Sequence, residues 1–142
     1  MRKNRIFMVN SSDVVVDDLS KEGACNVRVR YLIDKRKDSN HFSLRLHTVE
    51  KNGHTPLDQH EYEHQVYILR GQGFLKEEKS GPALRDLREG DSIFIPSNAV
   101  HQFMNERDEP LVFLCVKGNP RIYEPNSSNT ETSMDNSKRN FC

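Results

Sequence analysis

The sequence contains no tryptophan, no excess of charge of either sign and no long apolar run. Each absence excludes something. The 21 basic and 21 acidic side chains cancel, so no basic excess exists to neutralise a phosphate backbone, which argues against a nucleic-acid binder. No stretch approaches the roughly 18 apolar residues that a membrane helix needs. The start, Met1-Arg2-Lys3-Asn4-Arg5, is basic, but the apolar patch behind it runs only from Ile6 to Val9. That is too short for the apolar region of a secretory leader, so the cytoplasm is the expected compartment. Cysteine is scarce: Cys25, Cys115 and Cys142 are odd in number and widely spaced. They fit neither a disulfide framework nor a metal knuckle and are expected to be reduced thiols. Without tryptophan, the large aromatic anchors are 7 Phe and 4 Tyr.

What is present sets out one domain. Residues 122–142 are rich in Asn, Ser and Thr and nearly free of aliphatic side chains; they bury too little to offset their ordering entropy, and a disordered polar tail is expected. Before it lie short runs rich in Val, Ile and Phe: Val27–Ile33, Phe42–Val49, Val66–Leu69, Ser92–Ile95, Phe103–Asn105 and Leu111–Lys117. Turn residues part them, among them Lys51-Asn52-Gly53, Arg70-Gly71-Gln72-Gly73 and Glu89-Gly90-Asp91. This composition predicts strands. No stretch sustains a helical apolar period, and at most one helical turn is expected near Val15–Lys21. The pattern implies an all-β barrel or sandwich over residues 21–121, preceded by an N-terminal segment, residues 1–20.

Four of the six histidines stand at 54, 60, 64 and 101. Residues two apart on an extended chain face the same side. Asp58 and His60 therefore point together, and a tight turn at Glu61–Glu63 brings His64 beside them. His101 opens a later strand after the Pro96-Ser97-Asn98 turn. Imidazoles converging with one carboxylate make a site for a first-row metal, best suited to Mn or Fe, with Zn, Ni and Cu as further candidates. His54, beside Gly53, belongs to the turn.

Gly53-x6-His60-x3-His64-x6-Gly71 and Gly90-x5-Pro96-x4-His101-x3-Asn105 resemble the two motifs of the cupin superfamily. Flanking strands extend the likeness over roughly Asn26 to Lys117. More narrowly, the chain resembles the small single-domain cupins that hold manganese on four histidines. His64, the Phe113-Leu114-Cys115 run and Arg45 within Phe42–Leu46 match that group. The resemblance implies a double-stranded β-helix, or jelly-roll-like barrel, with a metal on Asp58, His60, His64 and His101. Two positions depart from the family. Asp58 replaces the first motif histidine, giving three histidines and one carboxylate. Asn98 replaces a glycine, a mild change because Asn tolerates positive φ.

Strand parity extends the site. Arg45 and His47 share one face, Val66 and Ile68 share that of His64, Phe103 that of His101, and Phe113, Cys115 and Lys117 another. Turned inward, these line a substrate pocket with apolar walls and one cation, Arg45, able to hold a carboxylate or enolate. The opposite parity, Phe42, Leu44, Leu46, Val112, Leu114 and Val116, is apolar too, so both faces are expected to be covered. The resemblance implies a homodimer, with strand exchange through Ile6–Val16. The expected activity is a metal-dependent oxygenase, or dioxygenase-type oxidoreductase, acting on a small organic acid or carbonyl compound. The alternatives are a non-redox isomerase, lyase or decarboxylase and a non-catalytic ligand- or metal-binding module.

Overall fold

The computed structural model describes residues 4–119; the tail expected over 122–142 lies outside them. The chain forms β1 (Asp17–Asp18), β2 (Cys25–Ile33), β3 (Phe42–His54), β4 (His64–Arg70), β5 (Gly73–Lys76), β6 (Leu84–Leu87), β7 (Ser92–Ile95), β8 (Gln102–Asn105) and β9 (Leu111–Gly118). Among the described residues the helical pieces are single 3-10 turns at Ser11–Asp13 and Lys35–Lys37. No helix among them is long and apolar enough to cross a membrane. The region 15–21 holds β1, paired to Val29 and Arg28 of β2, where a helical turn had been expected: its Val14-Val15-Val16 run favours extended backbone.

The strands run in the order β6-β5-β8-β3-β9-β4-β7, with β2 also paired to β3, and every pairing is antiparallel. This is the all-β barrel that the motifs implied. It curls because β3 serves both halves. Its first part pairs with β9 from Phe42 to Val49, and its end pairs with β8 through Gly53 and His54. Between them the strand passes Asn52 at φ 61°, opposite a register shift between Cys25 and Val27 of β2. A Cβ on Gly53 would lie 2.7 Å from the Asn26 carbonyl oxygen and 2.8 Å from that of Cys25. Only glycine lets the backbones approach this closely.

Alternation along β9 is regular: Leu111, Phe113 and Cys115 are buried, while Val112, Leu114 and Val116 are half-buried. The inward set joins Val27, Val49, Val66, Ile68, Leu75, Leu87, Ile95 and Phe103 in one core. Fully burying a side chain such as Phe113 or Ile68 stabilises by about 1.5–3 kcal/mol. Asn105, completely buried, ties the barrel end together. Its Nδ2 donates to the Val49 and Glu109 carbonyls, and its Oδ1 accepts from Arg107 N. β5 and β6 were not expected. Gly73 reads as a turn residue, and Leu84-Arg85-Asp86-Leu87 carries too little apolar character, three of its four residues being exposed. Cys115 is a free, buried thiol. That is the reduced state expected of it, whereas Cys25 is disulfide-bonded, which corrects the expectation for that residue.

Candidate metal centre and its cavity

Backbone pairing assembles the centre. Asp58 and His101 exchange two hydrogen bonds, Asp58 N to His101 O at 2.9 Å and His101 N to Asp58 O at 3.0 Å. The loop carrying His60 is stapled to the turn before His101, because Asn98 N donates to the His60 carbonyl and Gln59 Nε2 donates to the Asn98 carbonyl. Asn98 sits at φ 65°, the left-handed conformation expected at a glycine position. His64 opens β4.

One nitrogen from each of His60, His64 and His101 falls within a single cluster in which all three atoms lie within 4.8 Å of one another. The second nitrogens explain the orientation. His101 Nδ1 lies 2.9 Å from the Ala99 carbonyl, an acceptor that makes it the N–H and leaves the Nε2 lone pair free. His64 Nδ1 lies 3.2 Å from Cys115 Sγ, while His64 Nε2 is buried without a partner. Burial, reinforced by the positive charge of Arg45, holds the His64 pKa down to about 2. Burial likewise lowers that of His101, against the pull of its bond to Ala99. Both are neutral donors at ordinary pH, the form that binds metal. Three convergent imidazoles with an orphaned, buried nitrogen among them fit a first-row divalent ion.

Asp58 stands next to the three. Its carboxylate lies 3.1 and 3.2 Å from Lys21 Nζ and 3.5 Å from His60 Nε2. Burial opposes its ionisation, but the His60 contact and the Lys21 charge prevail and hold its pKa at about 2. It is a carboxylate already engaged by an ammonium group, and it lies outside the three-histidine cluster.

The centre opens into a cavity of about 130 Å³. Arg45, His47, Val66, Phe103, Phe113 and Cys115 line it, as strand parity predicts. Ile68 shares the parity but sits in the core, fully buried opposite Phe113 in the ladder. Phe103 and Phe113 pack with centroids 4.6 Å apart, and His47 stacks on Phe113 at 4.9 Å. Arg45 Nη2 donates to Cys115 Sγ at 3.2 Å. Parity could not reveal Lys21, which arrives from before β2, or Tyr62, which stacks on His60 at 4.6 Å and lies under Lys117 Nζ. Burial raises the Tyr62 pKa. Lys21, Arg45 and Lys117 face the cavity against a single carboxylate, Asp58. A chain without net charge thus concentrates positive charge at one point, which favours an anionic ligand.

A cupin domain profile matches residues 45–117. The 1-methylthio-D-xylulose 5-phosphate methylsulfurylase of Rhodospirillum rubrum is 37% identical over 73 residues, 51% of this chain, and the match spans only 45% of that protein. Among solved structures, the polyketide cyclase RemF of Streptomyces resistomycificus aligns with a TM-score of 0.75 and 31% identity over 80% of each chain. A cupin-2 domain protein of Rhodospirillum rubrum aligns with a TM-score of 0.65 and 28% identity over 82% of this chain and 78% of that one.

Proposed function

Because the chain belongs to the cupin domain family, we propose that its cavity is the active site of a metal-dependent enzyme acting on a small organic anion with a carbonyl or enol oxygen. The observation that carries this reading is the convergence of three imidazoles, one of which, His64, has a buried Nε2 without a partner. His60, His64 and His101 would hold the ion, and Asp58 would be the fourth donor once turned from Lys21. A divalent ion there, manganese or iron first and zinc, nickel or copper after them, supplies Lewis acidity toward a carbonyl oxygen or, where its oxidation state can change, an electron.

The remaining roles belong to the chain. Arg45, with Lys117 and Lys21 near it, draws in and orients the anion. Phe103 and Phe113 keep water from the reacting end. The similar proteins, a polyketide cyclase and a methylsulfurylase of a xylulose phosphate, bear names that point to carbonyl compounds. Neither is named an oxygenase, which places chemistry of the Lewis-acid kind ahead of the oxidative cleavage that the residues alone suggested. An oxygenase is the second reading, favoured by three protein donors that leave coordination positions open.

The test is metal content after purification without chelator, by elemental analysis and paramagnetic resonance. About one ion per chain is expected, and His101→Ala should lose most of it while the barrel stays folded, since it removes one of the three clustered imidazoles. A chain that takes up no ion on titration refutes the reading. A signal that changes with dioxygen and a trial anion would restore the oxygenase.

A further inference from the structure

Among the described residues, three buried side-chain polar atoms lack a hydrogen-bond partner: His64 Nε2, Arg45 Nε and His47 Nδ1. All three belong to residues lining the same cavity. The metal reading accounts for the first and leaves the other two. Arg45 and His47 stand two apart on β3, on one face of the strand, in register with Cys115 and Phe113 of β9. A buried, unpaired polar atom costs on the order of 1–3 kcal/mol. Packing does not require the His47 nitrogen. His47 lies flat on Phe113, 9° from parallel, a contact that phenylalanine would make with no polar atom at all.

We propose that Arg45 Nε and His47 form a binding station on the β3 wall for an oxyanion of the ligand, a carboxylate or enolate oxygen, and that His47 is a ligand-contacting residue. The station deepens the function proposed above and rests on it, because it presumes an anion held beside the three histidines. The two groups divide the task. Arg45 is fixed through its Nη2 bond to Cys115 Sγ, so its Nε–H is presented without further loss of side-chain freedom. His47 adds direction rather than charge. Burial first and the Arg45 charge second keep its pKa down to about 3, so it presents one N–H and one lone pair. In the Nδ1–H tautomer it donates to an anion, and a neutral imidazole donor in an apolar wall polarises a carbonyl or enolate oxygen without gaining a proton. The station explains why the polar atoms of this wall are left over: they are completed by a ligand, not by the protein.

The experiment uses the full chain loaded with Zn(II), titrated calorimetrically with pyruvate, oxalate and acetoacetate as carboxylate probes and acetone as the probe without one. His47→Phe should weaken carboxylate binding about ten-fold or more, leave Zn(II) affinity unchanged and leave the melting temperature equal or higher. His47→Asn, which returns an N–H close to the Nδ1 position, should recover part of the binding. In nitrogen-15 spectra of the unaltered protein, the His47 Nδ1 signal should move with pyruvate and stay with acetone. Unchanged carboxylate binding in His47→Phe, or an Nδ1 signal indifferent to every carboxylate, overturns the station, as would a trapped water satisfying both atoms. If His47→Phe does not fold, His47→Asn and the spectra decide. Failure of the unaltered chain to hold Zn(II) would instead overturn the metal reading, so the two failures are told apart.

Discussion

Lys21 Nζ sits 3.1 and 3.2 Å from the two carboxylate oxygens of Asp58, 37 positions further along the chain. The ammonium group therefore competes for the oxygens that a metal would use. If Asp58 is the fourth donor, Lys21→Met should raise affinity for a divalent ion several-fold by freeing the carboxylate, and Asp58→Asn should lower it. In the double variant the gain from removing Lys21 should vanish. Calorimetric titration with Mn(II) and Zn(II) checks all three. Equal affinity in Lys21→Met and the unaltered chain would show that Asp58 never enters the coordination shell. The ion pair is partly exposed, so its own loss should cost under about 1 kcal/mol of stability.

The buried histidines set an acid limit. Burial holds His47 at about 3 and His64 at about 2, both far below the ordinary 6.5 of an imidazole. Below pH about 6.5 the unfolded chain binds protons that the folded chain refuses, so stability falls as pH falls, at about 1.4 kcal/mol per pH unit for each group. Above that pH the full stability is present. Asp58 acts in the same direction lower down: its folded value, about 2, lies below the ordinary 3.8, so its contribution is lost as pH drops from about 4 toward 2. Urea unfolding of chelator-treated protein across this range should show the slope, and His47→Phe should remove one histidine's share between pH 6 and 4. A flat profile would mean that neither imidazole is shielded.

Much of the site was legible because period-2 alternation converts directly into facing. His60, His64 and His101 converge, and Arg45, His47, Phe103, Phe113 and Cys115 share their cavity. What parity could not give was depth along the strand. Ile68 shares the face of Val66 yet lies past the cavity in the core. Nor could it give contacts made by irregular segments. Lys21 reaches Asp58 from a turn whose sequence has no periodicity, and Tyr62 meets His60 through a tight turn. β5 and β6 escaped because they are four-residue strands whose apolar content is too small to stand out from turns. Gly53 was visible as a motif residue, but its reason, the approach of the Asn26 and Cys25 carbonyls, exists only in the folded ladder.

That reason makes Gly53→Ala an informative variant. Its Cβ would meet the carbonyl oxygens of Asn26, Cys25 and Glu50 at 2.7 to 2.8 Å. All three are backbone atoms of paired strands, so none can swing aside as a side-chain tip would. A loss of about 2 kcal/mol or more is expected in urea unfolding. Metal affinity should fall as well, because β3 leads directly into the loop that carries Asp58 and His60. Stability within about 0.5 kcal/mol of the unaltered chain would show that the bulge relaxes freely.

The last prediction concerns the segment before β1. Ile6, Met8 and Val15 are 97%, 90% and 74% exposed, a run of apolar side chains that the protein's own barrel does not cover. On the same chain, the outer face of the sheet presents Leu44, Leu46, Val112, Leu114 and Val116 half-buried, with Tyr67 and Leu69 exposed. A contiguous apolar patch beside an uncovered apolar arm is the surface expected of an interface. A second copy would cover both at once under two-fold symmetry, with each arm on the partner's sheet. Sedimentation should therefore find a dimer. Ile6→Ser with Met8→Ser should weaken it at least ten-fold, since each substitution removes an apolar side chain whose burial contributes about 1.5–3 kcal/mol. The metal content of the separated monomer should be unchanged, because His60, His64 and His101 all come from one chain. A monomer at every concentration for the unaltered protein would leave the arm without a role in self-association.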